Sequence, residues 1–223
     1  KVFYADLFGL RKEKYKYLTD NTIKTTKWTE LTPHKEFFFF VTRDEKELKS
    51  YETFWKVTDI LPLNGVGMTT ARDKFVIDFD RHTLLSRIRL FKNSNYSDDE
   101  LHRIFRINKK KGWSIRKAVQ ALKNISDNEL EKYILPVLYR PFDIRWIFYH
   151  DTIVWRTVKR VMQHMMKENL GLITNRQVNG KFRHILCSKM IINDCTVSSE
   201  TKERSYLFPL YLYPSSDKNH LFE

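Results

Sequence analysis

From about residue 133 the chain stops repeating in helical periods and breaks into short β-like runs, and this change of texture constrains its fold more than any other feature. The runs are Tyr133–Tyr139, Arg145–Tyr149, Leu170–Thr174, His184–Ile192 and Tyr206–Tyr213, interrupted by one helical stretch from about Thr157 to Lys167. Upstream the signals are mostly helical. Residues 10–19 read as a short basic helix, and Leu48, Tyr51 and Trp55 mark one stripe of a helix over Asp44–Trp55. Leu84, Leu85, Ile88 and Phe91 share another helical face. Ser97-Asp98-Asp99-Glu100 is a capping box opening a helix that should bury Leu101, Ile104 and Phe105, and a third helix is expected over Trp113–Leu122. Two strands are expected among these helices. One is Glu36–Thr42, whose Phe run would be buried on both faces; the other is Lys74–Phe79, where residues alternate. The expectation is an α+β chain, with a helix-rich N-terminal part over 1–125 and a sheet-rich, mostly antiparallel part over 126–223. The division is soft, and one domain or two remain open.

Charge narrows the partners. Forty Lys/Arg against 27 Asp/Glu give a net charge of +13, which favours a polyanion, either nucleic acid or an anionic membrane surface. The membrane is the weaker reading, because runs such as Phe37-Phe38-Phe39-Phe40-Val41 are strand-sized, far below the ~18 residues of a bilayer span. Aromatic content of 14% argues for a packed globule over a disordered basic tail. Cys187 and Cys195 make no disulfide framework, and no signal peptide follows Lys1, so a reduced cytoplasmic setting is expected. An opening residue other than Met suggests a piece of a longer chain.

The basic charge is concentrated between Arg156 and Lys189, where eight Lys/Arg accompany one acid, Glu168. Such a stretch binds phosphates through counterion release. Within it, Asn175-Arg176-Gln177-Val178-Asn179-Gly180-Lys181-Phe182-Arg183 reads as a turn between two strands, rich in the side chains that contact base edges: Arg for guanine, Asn and Gln for adenine. A solvated hairpin tip is the competing reading. Arg140, Asp143 and Arg145 are read as satisfying one another around a turn fixed by Pro141, and Phe208–Tyr213 as a core strand with inward aromatics.

Catalytic signatures are weak or missing. Gly65-Val66-Gly67 lacks the strand-before, helix-after context of a cofactor loop. An adenine-methyltransferase tetrapeptide requires adjacent prolines, and none are adjacent here. Asp20 with Glu47-Leu48-Lys49 loosely imitates a metal-dependent nuclease, but on a solvated helix face. His164, His184, Cys187 and Cys195 fit no zinc spacing, and His150 beside Asp151 is no triad. No catalytic, metal or cofactor residue is therefore assigned.

Several strings in order resemble the C-terminal target-recognition (specificity) domain of type ISP and type IIG restriction–modification adenine-N6 DNA methyltransferases. They are Tyr4-Ala5-Asp6-Leu7-Phe8-Gly9-Leu10-Arg11, the loop Gly65–Asp73, Tyr139-Arg140-Pro141-Phe142-Asp143-Ile144-Arg145-Trp146, Asn169–Arg176 and Phe208–Tyr213. In the loop, Met68 departs from the family's Gly-Val-x-Thr-x-x-Asp pattern. The resemblance implies a piece that recognises duplex DNA for a methyltransferase domain of the same parent chain, which would hold S-adenosylmethionine; such parents often carry a nuclease or a translocating motor as well. Arg176, Gln177, Asn179 and Arg183 are then the expected base readers, with Thr69, Thr70 and Arg72 as a second reading loop. Lys109, Lys110, Lys111, Lys159, Arg160 and Lys181 would position the phosphate backbone. A general RNA-binding module, or an assembly module docking another protein, are the alternatives.

Overall fold

The computed structural model describes residues 1–33, 38–42, 46–109, 112–178, 181, 185–200 and 203–214. Two compact units divide the chain, Lys1–Trp55 and Lys56–Glu223.

The first unit holds β1 (Val2–Tyr4), α1 (Arg11–Asp20), β2 (Thr29–Leu31) and α2 (Leu48–Glu52). β1 and β2 pair antiparallel, with Val2 opposite Leu31. The expected basic helix is α1, whose start is fixed by the Glu13 carboxylate accepting the Leu10 N–H at 2.7 Å. No described residue of this unit is buried. That overturns the strand expected after Glu36. Glu36 and Phe37 lie outside the described residues, but Phe38–Thr42 is irregular and Phe38, Phe39, Phe40 and Val41 are exposed. The positive φ of Phe38 interrupts an extended run, and no strand pairs with it among the described residues. The Leu48–Tyr51–Trp55 stripe is also exposed, since α2 stops before Trp55 reaches it.

The second unit carries the core. In chain order it contains α3 (Val57–Ile60), β3 (Gly65–Val66), α4 (Asp73–Val76), β4 (Ile77–Asp78), α5 (Arg81–Asn93), α6 (Asp98–Ile104), α7 (Ile115–Lys123) and α8 (Asp127–Leu130). A 3-10 turn leads to β5 (Ile134–Arg140) and β6 (Asp143–Phe148). Then come α9 (Lys159–Met162), β7 (Gly171–Asn175), β8 (Ile185–Ser188), β9 (Ile191–Ile192) and β10 (Ser205–Pro209). The strands form two four-stranded sheets, ordered β4-β6-β5-β9 and β3-β10-β7-β8. Pairing is antiparallel except between β5 and β9. The α+β class and its order, helices first and strands later, are as the sequence indicates.

Local signals explain the helices. Asp80 caps α5 by accepting the Thr83 N–H at 2.7 Å, and the helix buries Leu84, Leu85, Ile88 and Phe91. The Ser97–Glu100 box opens α6 as expected, with the Glu100 carboxylate accepting the Ser97 N–H at 2.8 Å. Leu101 and Phe105 are buried, whereas Ile104, at 43% exposure, is not. Ser114 caps α7, which buries Ile115, Ala118, Val119 and Leu122. Phe75, Phe91 and Phe105 meet with ring centroids 4.7–5.5 Å apart, and each such burial contributes roughly 1.5–3 kcal/mol. The position between 125 and 126 falls inside this unit, where α5 packs on β6.

Four expected elements change shape, one being His184–Ile192, which divides into β8 and β9 of different sheets. Lys74–Phe79 is a helical turn followed by the two-residue β4, because the N–H groups of both Phe75 and Val76 return to the Arg72 carbonyl. Phe75 and Val76 are consecutive and both fully buried, which alternation forbids. The helix expected over Thr157–Lys167 is the short α9 continued by a 3-10 turn, after Val158 enters with positive φ. The last strand ends at Pro209, leaving Leu210, Tyr211 and Leu212 exposed. There the Asn169 side chain takes over the pairing, accepting the Tyr211 N–H at 3.0 Å and donating to its carbonyl at 2.8 Å.

Candidate nucleic-acid interface

Register places several loops at one end of the second unit. In β10, Ser205 lies opposite Asn175 of β7, Tyr206 opposite Val66 of β3, and the Gly67 N–H donates to the Ser205 carbonyl. The loop leaving β3, the segment entering β10 and the loop leaving β7 therefore share one sheet end. The other sheet joins here. Leu138 of β5 pairs with Ile192 of β9, and Met68 bridges Asn193, with Met68 N–H to Ile192 carbonyl and Asp194 N–H to Met68 carbonyl both 2.9 Å. Thr196 Oγ1 donates to the Leu138 carbonyl at 2.9 Å. β5 runs on to Arg140, so the turn into β6 leaves at the same end. A bridge from Thr69 to Arg156 adds the segment ahead of α9.

The close approach at Gly67 is what lets the two sheets join. A Cβ there would meet the Asn193 carbonyl carbon and oxygen at 2.4 Å. The chain's own backbone thus packs directly against Gly67.

Arg176 and Gln177 stand exposed directly after β7, and the register confirms that the loop containing them connects two antiparallel strands. Lys181 is exposed in the same loop, while Asn179 and Arg183 lie outside the described residues. The loop's root is fixed by Asn175, whose buried amide donates to the Glu203 carbonyl at 3.1 Å.

The second expected reading loop is largely enclosed. Thr69 is half-buried and donates to the Asp194 carboxylate at 2.8 Å. Thr70 is 1% exposed and hydrogen-bonds Asp73. Arg72 is 5% exposed, lies 3.7 Å over the Trp113 ring and donates to the Ile153 carbonyl at 2.9 Å. Burial pulls its pKa down to about 10. Both side chains are enclosed here and hold the loop. Asp73 also accepts from the Tyr139 hydroxyl at 2.7 Å; burial first, then this carboxylate, pushes the phenol's pKa up.

The expected backbone lysines and arginines are dispersed. Lys159 pairs with Asp151, and Arg160 donates to the Asn64 carbonyl at 3.1 Å, ahead of β3. Lys109 pairs with Asp99 at 2.7 Å beside α6; that hydrogen bond raises the lysine's pKa and lowers the aspartate's. Lys110 and Lys111 lie outside the described residues.

Sequence reasoning missed Asp194 and Arg204. The enclosed Asp194 carboxylate accepts from Arg204 at 2.6 Å as well as from Thr69, tying the segment entering β10 to the loop leaving β3. Arg204 precedes Ser205 just as Arg176 follows Asn175, so strand pairing sets these two arginines side by side along the backbone. Only a known pairing of β7 with β10 could have shown it. Arg140, Arg156, Arg176, Lys181 and Arg204 lie toward this end with the acids Asp143, Asp194, Glu200 and Glu203, and Arg204 is paired with Asp194.

The Type ISP C-terminal specificity domain model matches residues 59–223. No curated protein sequence matches the chain. Among solved structures, a cryo-EM complex of DrdV with DNA is similar at a TM-score of 0.61 and 16% identity, over 92% of this chain and 21% of that one. A nuclease-deletion mutant of the Type ISP restriction-modification enzyme LlaGI, in complex with a DNA substrate mimic, is similar at 0.53 and 16%, over 89% and 17%. At such identity the likeness is one of fold, and the chain spans about a fifth of the length of either protein.

Proposed function

The chain belongs to the Type ISP C-terminal specificity domain family, and from that premise we propose that it recognises a duplex DNA target for a restriction–modification enzyme and catalyses nothing itself. The methyltransferase domain of the same parent chain would bind S-adenosylmethionine, methylate adenine N6 in the cytoplasm, and use this chain to choose its site. One observation carries the reading. The loop leaving β7 and the loop leaving β3, far apart in sequence, meet at one basic end of the unit. Arg176 and Gln177, with Asn179 and Arg183, remain the proposed base readers, and Thr69 a neighbour that shapes the surface. Lys181 beside them, then Lys109, Lys110, Lys111, Lys159 and Arg160, are proposed phosphate contacts. The solved complexes of DrdV and LlaGI with DNA support the reading as proteins of the same fold.

The test is fluorescence anisotropy of the chain with a labelled duplex across a salt series, competed by single-stranded RNA. Duplex binding should weaken log-linearly with salt, at about −0.9 in slope per phosphate neutralised, and RNA should compete poorly. Arg176→Ala should cost about 1–3 kcal/mol and relax specificity at one base pair, whereas Lys181→Ala should weaken binding uniformly and lower the slope by about one. Absence of duplex binding at low salt, or preference for the RNA, would overturn the proposal.

A further inference from the structure

Phe142 is 96% exposed, more than any other large apolar residue among those described. It occupies the second place of the two-residue turn Pro141-Phe142 between the paired residues Arg140 and Asp143, with φ of +64°. Turns that put proline first and a positive φ second ordinarily place glycine or asparagine there. A bulky ring at such a position costs backbone strain and, held out in water, gains no burial in return. The ring takes part in none of the aromatic or cation–π contacts among the described residues.

Everything beneath it is braced. The Arg145 guanidinium grips Asp143 through three hydrogen bonds, at 3.0, 3.1 and 2.7 Å, and lies over both Phe79 and Tyr139, 4.2 and 4.1 Å from their ring centroids. Arg140 lies over Tyr139 at 4.1 Å and donates to its carbonyl at 2.6 Å. The Tyr139 hydroxyl is anchored on Asp73. A stiff hairpin thus presents one bare aromatic ring at the end where Arg140, Arg156, Arg176 and Arg204 gather.

We propose that Phe142 is a wedge that enters the base stack of the bound duplex beside the loop leaving β7, unstacking one step and fixing the chain's register on the DNA. This rests on the duplex-recognition reading above. An apolar ring on a rigid tip, flanked by cations that hold phosphates, has the chemistry of an intercalating side chain. The flanking arginines favour DNA over an apolar protein pocket.

The experiment uses the 223-residue chain and a duplex enriched by the wild-type chain from a random-sequence pool, with 2-aminopurine placed at successive positions. Phe142→Gly relieves the turn, so its resistance to urea should equal or exceed that of wild type, which separates the wedge from folding. Its affinity should drop roughly tenfold, the scale of one lost aromatic–base stack. The salt slope should not change, because no charge is removed, and the 2-aminopurine brightening at one step should vanish. Phe142→Leu, still an apolar wedge, should keep most of both signals. If Phe142→Gly binds as wild type does and the brightening persists, the wedge is overturned while duplex recognition stands, whatever protein the tip then docks. If the wild-type chain binds no duplex, both fall together.

Discussion

The Arg72 guanidinium joins three separate segments: it leaves the loop after β3, lies over Trp113 ahead of α7, and donates to Ile153 in the stretch after β6. Its Nε and second terminal nitrogen find no acceptor among the described residues, so the group is held mainly by the ring and one carbonyl. Removing it opens a hole and leaves the Ile153 carbonyl unpaired. Arg72→Ala is therefore expected to cost about 3 kcal/mol, combining a desolvated cation–π contact with a charged hydrogen bond. Arg72→Met fills the volume without orphaned donors and should lose less than half of that. Urea midpoints at neutral pH with an unchanged m-value check both. An alanine variant as stable as wild type would return Arg72 to the surface, and to the reading role its composition suggested. Asp194 shows the same physics with the sign reversed: an enclosed carboxylate satisfied by Thr69 and Arg204, its value lying in which loops it fastens.

Between elements the tightest constraint is Gly67, where the backbone leaving β3 touches Asn193 beyond β9. Gly67→Ala drives a methyl group into that carbonyl, and since the obstacle is backbone the sheets must part. A loss of about 2–3 kcal/mol is expected, lowering the melting midpoint on the order of 5–10 °C for a unit of this size; a melt within a degree of wild type would refute the contact. Legibility followed the range of the signals. Helices α5, α6 and α7 could be read from local signals, the periodic apolar face of α5 and the Ser97–Glu100 box of α6 among them, while the Asp80 and Ser114 caps show only in the structure. β5, β6 and β7 were legible as strands, but not their partners. β3, β4 and β9 span two residues each and carry no period. Phe38–Val41 has strand composition without a partner strand, and composition alone misled. Side-chain chemistry singled out the loop containing Arg176, while Arg204 and Asp194 emerge only when β10 is laid between β3 and β7.

At the scale of the whole chain, burial is divided unequally. Every buried described residue belongs to Lys56–Glu223, while Lys1–Trp55 shows water such side chains as Phe8 and Trp55, each more than 80% exposed. A two-stranded ribbon and short helices with no buried residue among those described cannot offset the entropy of ordering their own backbone, which runs at about 1–2 kcal/mol per residue. The second unit holds both sheets, the capped helices and the whole loop end, including Thr69, Phe142, Arg176 and Arg204. A protein of residues 56–223 is therefore expected to unfold in one cooperative transition, with stability of about 5–15 kcal/mol, and to keep the duplex affinity of the full chain within about threefold. Residues 1–55 alone are expected to give a broad, non-cooperative melt and a near-random far-ultraviolet spectrum. Circular dichroism melts of the two pieces, with duplex anisotropy on the longer one, decide the matter. A sharp transition in the 1–55 piece would mean that it forms a core of its own. Loss of duplex affinity from 56–223, with its fold intact, would move part of the interface into the first unit.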